Sequence, residues 1–475
     1  MRADSLTDNL RRAAERWPDR CAVKEGATEL AYAELWHRAR LLANALIEGG
    51  LETGDRVAIA LPNSADYVVA LYAVLLAGGI AVPLNSAAKN RDFSTWIRHC
   101  EPRIVFASAA NAELADALAQ AETSCSVVWV GDDRDDLESL LSSATASTAL
   151  PECTSDQPAM IIYTSGTTGE PKGVTLSHGN LASNTEAIVE SLRLREHDKI
   201  VNVLPFYFSY GNSVLHTHVK VGGCIVLEPN FIYPHAVVER LQSERATGFA
   251  GVPSTYALML SRVKLDGYDL SSLRYLTQAG GAMPQALARR LGEVLPHVQL
   301  YMMYGQTEAT ARITCLAPEH ATAKAGSVGR PIGGVRVQVR REDGAIAAVN
   351  ESGELWVSGP GVMLGYWRNP KASEMVIRDG WLRTGDMGRV DADGFVYLEG
   401  RRSDMIKSGA NRIHPQDIEE VIAEMPGVQE VAAVGIDDEI LGQAIKVFVV
   451  PQTNAQLTPM QIQAHCRARL ASYKI

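Results

Sequence analysis

The sequence predicts an α/β fold of largely parallel sheets layered with helices, followed by a small α+β unit. Strand-like apolar runs alternate with helically spaced ones up to about residue 330. From about 330 to 400 short alternating segments divided by Gly and Asp turns take over. A separate apolar pattern begins after the charged, turn-like stretch Gly400-Arg401-Arg402-Ser403-Asp404. The length, 475 residues, already implies more than one domain. The expected division is a large domain over 1–399 and a small one over 400–475.

In order along the chain, Val57-Ala58-Ile59-Ala60-Leu61 reads as a strand, and after Pro62-Asn63-Ser64 the residues Tyr67, Ala70, Leu71, Val74 and Leu75 fall at helical spacing. Ile80-Ala81-Val82-Pro83-Leu84, Met160-Ile161-Ile162 and Cys224-Ile225-Val226-Leu227 read as further strands. Val335-Arg336-Val337-Gln338-Val339 and Glu354-Leu355-Trp356-Val357 fit an antiparallel region. In the last unit Pro415 suits a first helical turn, with Ile418, Val421 and Ile422 on one face. Strands over 428–436 and 445–450 and a helix near 459–471 follow.

Composition is that of a globular protein, with 46% hydrophobic and 21% charged residues. The net charge of −10 argues against a general nucleic-acid or anionic-membrane binder. No apolar run approaches the roughly 20 residues of a membrane span, and the polar N-terminus lacks a signal-peptide core. The seven cysteines form no CxxC pair, so they read as reduced thiols of a cytoplasmic protein. His216 and His218 are spaced as on one face of a strand; with no third ligand nearby they read as structural or pocket-lining.

The most informative stretch is Tyr163-Thr164-Ser165-Gly166-Thr167-Thr168-Gly169-Glu170-Pro171-Lys172-Gly173, directly after an apolar strand. Its glycines let backbone N–H groups converge, and its hydroxyls and one ammonium complete an anion cradle suited to a polyphosphate. A P-loop needs Gly-Lys-Ser/Thr after four residues, and Pro171 stands where that glycine belongs. Four further segments have matching chemistry. Gln278-Ala279-Gly280-Gly281-Ala282-Met283-Pro284 permits close backbone approach to a flat base. Tyr304-Gly305-Gln306-Thr307-Glu308 offers a carboxylate to a hard cation. Thr384-Gly385-Asp386 offers a two-oxygen acceptor for a vicinal diol. Gly400-Arg401 offers a forked guanidinium.

Together, and in this order, these segments resemble the adenylate-forming superfamily of acyl- and aryl-CoA synthetases, peptide-synthetase adenylation domains and luciferases, over nearly the whole chain. The resemblance implies a large domain of two mainly parallel sheets with a small β-barrel-like region, and a mobile C-terminal domain that rotates about 400–403. It implies ATP and Mg²⁺ as cofactors and coenzyme A, or a carrier-protein phosphopantetheine, as acyl acceptor. By the same resemblance Thr164, Ser165, Gly166, Thr167, Thr168, Gly169 and Lys172 hold the β- and γ-phosphates. Ala279, Gly280, Gly281 and Ala282 flank the adenine, Tyr304 stacks on it, and Gly305 and Gln306 line the site. Thr307 donates to the α-phosphate, Glu308 holds the metal, Asp386 takes the ribose hydroxyls, and Arg401 contacts phosphate or ribose. Lys407 is a weaker candidate, and Glu354–Pro360, Gly365-Tyr366-Trp367 and Trp381 read as structural.

Three departures qualify the match. The chain stops at Ser472-Tyr473-Lys474-Ile475, short of the family's terminal Gly-Lys segment, so Lys474 is not the catalytic lysine and a further tail is expected. Ala410 stands beside Gly409 where the thiol tunnel has glycine, and Ser403 occupies the hinge position, which makes thioester formation less secure than adenylation. In Leu204-Pro205-Phe206-Tyr207-Phe208-Ser209-Tyr210-Gly211, Phe208 replaces the histidine of an aromatic gate. No acidic residue lies between 203 and 227 to pair with a substrate ammonium, which argues against an α-amino acid. Tyr207, Phe208, Ser209, Gly211 and Ala279, with Tyr210 and Tyr256, suggest an apolar or aryl acid pocket, although the aromatics could equally be core. The expected activity is therefore an AMP-forming acid–thiol ligase, with stand-alone loading of a carrier protein and non-catalytic nucleotide binding as alternatives.

Overall fold

A computed structural model describes residues 5–475 except 122–124, 132–134, 145–148, 165–170, 229–230, 402–404, 409–410, 414, 439–441, 453–454 and 471–473. Two large sheets form the frame. One has seven strands, in the order Gly365–Tyr366, Lys172–Ser177, Pro158–Thr164, Ile80–Pro83, Arg56–Ala60, Ile104–Ser108, Ser126–Val130. Its last five are parallel, and the first two pair antiparallel. The other has nine strands, and its Gln299–Tyr304, Tyr275–Gln278, Gly248–Gly251, Lys199–Asn202, Cys224–Leu227 and Cys21–Glu25 members run parallel. Parallel strands buried on both faces need continuous apolar runs, which is why the Arg56–Ala60 and Ile80–Pro83 segments lack alternation.

The main core lies between the sheets and contains Ile59 and Ile162 from one, Ile200, Ile225 and Tyr301 from the other. Helix Ala65–Leu76 runs through it, buried from Tyr67 to Leu76. Such a helix must be apolar all round, and the Tyr67-to-Leu75 spacing seen in the sequence is one face of it. Ser64 caps it by accepting from Tyr67 N at 3.0 Å.

The strand-like placing of His216 and His218 is corrected by the structure. Both sit in helix Ser209–Val221, which Gly222 ends in a left-handed conformation. Two helical residues apart is more than half a turn, so the imidazoles face different partners. His216 Nδ1 meets Tyr72 Oη at 3.1 Å, and His218 Nε2 meets Tyr275 Oη at 2.9 Å. No metal-binding cluster occurs among the described residues.

Burial pushes the pKa of His216 down to about 3 and that of His178 down to about 4. The unfolded chain binds these protons near 6.5, the native protein only near those lower values. Stability is therefore complete above about 6.5 and declines as pH falls towards 4, by about 1.4 kcal/mol per pH unit for each histidine. Urea midpoints across that interval should show the decline, and His216→Gln should remove about one proton's share of the slope. An unaltered slope in the variant would exclude His216 as a source.

A third sheet, antiparallel, carries Arg336–Arg340, Gly353–Ser358, Trp381–Val390 and Ile377–Arg378, with Val396–Arg401 also paired to Trp381–Val390. The final unit is a four-stranded sheet over 406–451 with helices Pro415–Ala423 and Pro459–Arg467. It has its own core, including Ile406, Ile413, Ile418 and Ile422. The last helix ends four residues earlier than its sequence pattern suggests. None of the seven cysteines is in a disulfide, and among the described residues no helix is long and apolar enough to cross a membrane.

Candidate active site

Parallel pairing aligns the carboxyl ends of neighbouring strands, the usual place for ligands in open α/β sheets. Strands Tyr275–Gln278 and Gln299–Tyr304 are neighbours, with Gln278 opposite Met302. The turns that leave them, 279–282 and 305–308, therefore lie side by side. Gln278 braces the first turn by donating from Nε2 to Gly281 O at 2.8 Å, and Gly280, Gly281 and Ala282 are exposed there. Ala279 is buried beneath them. In the second turn Gly305 is irreplaceable, because a Cβ would stand 1.9 Å from Ala311 O. Gln306 follows with its Nε2 buried and without a protein partner among the described residues.

The Thr164–Lys172 stretch is the end of a β-hairpin. Thr164 and Lys172 are register partners on strands Pro158–Thr164 and Lys172–Ser177, and Ser165, Gly166, Thr167, Thr168 and Gly169 lie outside the described residues. Lys172 Nζ stands 5.5 Å above the Tyr366 ring, a cation–π distance. The Tyr366 hydroxyl in turn donates to Glu308 Oε1 at 2.9 Å. Burial, then the Glu308 charge, pushes the Tyr366 phenol well above its ordinary pKa, so it remains a donor. Tyr366 thus joins the phosphate hairpin to the metal-ligand candidate. From sequence Tyr366 reads as structural, because a tyrosine beside a glycine carries no signal of a partner 58 positions away.

A second cluster gathers Tyr304, Asp386 and Arg401. The Tyr304 hydroxyl donates to Asp386 Oδ2 at 2.6 Å, and Arg401 Nε lies 3.3 Å from Asp386 Oδ1. Asp386 N donates to Thr384 Oγ1 at 3.1 Å, and the ladder sets Asp386 opposite Arg401. Burial raises the Asp386 pKa, opposed by the Tyr304 hydroxyl and the Arg401 charge. The carboxylate has about four acceptor directions, so these two donors leave room for a diol.

On the remaining side, Ser209 Oγ and Thr307 Oγ1 are 3.2 Å apart, which joins the acid-pocket candidates to the Thr307 turn. Gly211 lies in the first turn of helix Ser209–Val221, where a Cβ would be 2.2 Å from Pro205 O. Tyr207 and Phe208 pack ring to ring at 4.4 Å, and Phe208 is 54% exposed, so it is not core. Tyr256 is core: fully buried, its hydroxyl donates to Thr277 O at 2.6 Å. Tyr210 donates to the same carbonyl at 2.9 Å and carries the Arg312 guanidinium over its ring.

Thr310 adopts φ 69°, ψ −64°, with Ala311 N donating to Ala309 O at 2.9 Å. This is a γ-turn in its rare, strained form, at a β-branched residue, and strain of this kind is of order 1–3 kcal/mol. Gly409 and Ala410 lie outside the described residues, and Lys407 belongs to strand Ile406–Ser408. Lys474 pairs with Asp417 inside the last unit, in keeping with a structural role. Trp367 and Trp381 pack against Arg56 and Arg336.

Comparison with known proteins gives a consistent outcome. The AMP-binding enzyme family matches residues 10–367, and the AMP-binding enzyme C-terminal domain matches residues 417–475. The chain is 34% identical to a feruloyl-CoA synthase of Amycolatopsis sp, over 100% of this chain and 94% of that protein. It is 31% identical to a long-chain-fatty-acid–CoA ligase of Bacillus subtilis, over 99% and 90% of the two chains. Among solved structures, o-succinylbenzoate CoA synthetase from Bacillus subtilis, in complex with its acyl-adenylate intermediate, superposes with a TM-score of 0.88 at 27% identity. That match covers 99% of this chain and 93% of the other.

Proposed function

Because the chain belongs to the AMP-binding enzyme family, as an AMP-forming acyl- or aryl-CoA ligase, we propose that the crevice at its strand ends joins a carboxylic acid to AMP before coenzyme A takes the acyl group. The observation that carries this reading is the convergence of Lys172, Tyr366 and Glu308 on one side with Tyr304, Asp386 and Arg401 on the other.

In the first step a carboxylate oxygen attacks the α-phosphorus of ATP and pyrophosphate leaves. Two anions must meet, so the protein's task is positioning and charge neutralisation. Lys172 and the 164–169 loop take the β- and γ-phosphates. Thr307, with Ser209 beside it, directs hydroxyls at the α-phosphate and the incoming carboxylate. Asp386, oriented by Tyr304 and Arg401, holds the ribose, and 279–282 with Gln306 flank the base. In the second step the thiol sulfur attacks the acyl carbonyl and AMP departs.

The donor set suits Mg²⁺: a single carboxylate, Glu308, fixed by the Tyr366 hydroxyl, with phosphate oxygens to complete the shell. When bound, the ion neutralises phosphate charge. The division at about residue 400, and a swing of the last unit about 400–403 between the two steps, are part of this proposal. A cytoplasmic setting fits seven cysteines that form no disulfide.

The test supplies ATP, Mg²⁺ and a panel of fatty, aryl and amino acids, then coenzyme A or a holo carrier protein. Acid-dependent pyrophosphate release and an acyl-CoA product are expected. Acyl transfer to the carrier protein alone would reassign the acceptor, and silence with every acid would reject the ligase reading.

A further inference from the structure

Arg312 is 2% exposed, and its Nε and Nη1 are buried with no protein acceptor among the described residues. Buried cations are normally paired, because the desolvation they suffer is recovered only through a counter-ion. What faces this guanidinium is the Tyr210 ring, 4.8 Å from Cζ, and a cavity lined in part by Tyr210, Ser213, Thr217 and Thr277. With Tyr275 and His218, which also line it among aliphatic side chains, those residues bring hydroxyls and an imidazole but no carboxylate. Burial pushes the Arg312 pKa down, opposed by Tyr210 and Cys315 alone; an arginine nonetheless keeps its proton in a protein. A positive charge is therefore held without its complement.

Its place in the fold links it to the acid. Arg312 follows Glu308 by four residues, round the strained γ-turn at Thr310. Tyr210, which carries the guanidinium, is next to Ser209, whose hydroxyl meets that of Thr307. The cation is thus tied to the acid-pocket candidates through Tyr210, the residue after Ser209. The cavity has a volume of about 10 Å³, enough for about one water, and one carboxylate oxygen asks for no more. A water there would satisfy a donor but leave the charge unmatched.

We propose that Arg312 is the specificity-determining residue of the acid pocket, and that the acid activated carries a second carboxylate at the end remote from the reacting one. This rests on the ligase reading above and narrows its substrate: the body of the acid meets Tyr207, Phe208 and Tyr210, and its far end meets a cation. The fatty or aryl body expected from the sequence is kept, and the proposal adds a carboxylate at its far end.

The experiment uses the full chain with acids paired so that a terminal methyl is replaced by a carboxylate: butyrate with succinate, valerate with glutarate, p-toluate with terephthalate. Pyrophosphate release gives kcat/KM for each. The enzyme should favour the dicarboxylate of its best pair by about tenfold or more, the discrimination of one charge-assisted contact. Arg312→Met should lower that ratio by a similar factor and raise Tm, since an unpaired buried charge is removed. A ratio unchanged in Arg312→Met, or a lowered Tm with the preference intact, would overturn the proposal.

Should Arg312→Met fail to fold, thermal shift of the unaltered enzyme decides: with AMP present, the dicarboxylate should raise Tm more than its partner, and the reverse order counts against Arg312. Turnover of monoacids with dicarboxylates refused would overturn the Arg312 assignment and leave the ligase reading standing. Silence with these pairs and with the whole panel of fatty, aryl and amino acids would bring down the ligase reading itself.

Discussion

Glu308→Gln and Lys172→Ala should each lower acid-dependent ATP–pyrophosphate exchange by roughly 10²-fold, the usual loss when a fixed charge that stabilises a transition state is removed. Glutamine can still accept from the Tyr366 hydroxyl, so the 2.9 Å contact survives and the fold is undisturbed. What goes is the negative charge that a hard cation needs. Lys172→Ala removes the ammonium above Tyr366, and with it the cation facing the departing pyrophosphate. Tm should barely move in either variant, because Lys172 and Glu308 are partly exposed rather than core. Isotope exchange between labelled pyrophosphate and ATP reads the first step alone; full exchange in both variants would reject the assignment of this site.

The second large effect concerns the sugar. Asp386→Asn should raise KM for ATP by roughly tenfold to a hundredfold, since hydrogen bonds to a charged group contribute about 1.5–3 kcal/mol. Asparagine can accept from Tyr304, yet it cannot balance Arg401 or receive two ribose hydroxyls at once. Dideoxy-ATP supplies the control. The unaltered enzyme should bind it poorly, and the variant should treat ATP and dideoxy-ATP nearly alike. If the variant still discriminates between them as strongly as before, the diol is read elsewhere.

Much of this architecture was visible in the chain. The apolar runs before residue 330 became parallel strands, and the turns 279–282 and 305–308 that leave two neighbouring strands lie side by side. The 163–173 stretch stands out in the sequence because glycine, hydroxyl and lysine at close spacing suit an anion. Its position at the end of a hairpin, with an antiparallel return strand, does not, because the partner strand is revealed only by pairing. Contacts across long separations were also hidden. Tyr304 and Asp386 are 82 positions apart and Tyr366 lies 58 beyond Glu308, so neither hydrogen bond leaves a local pattern. His216 and His218 misled because an alternating triplet fits a strand, while their helix is imposed by packing between the sheets. Arg312 draws no reading from the sequence, because a lone arginine before Ile313-Thr314-Cys315 gives no sign of its burial.

Arg401 is the last residue of strand Val396–Arg401, and its rung partner is Asp386. Beyond it the backbone departs for the sheet over 406–451. If that trailing lobe swings as proposed, its torque reaches Asp386 through a single ladder step. Thermodynamic reciprocity then requires each end to bias the other by an equal factor. A clamp, antibody or crosslink that freezes the lobe's posture would retune affinity for ATP without touching any atom that meets it.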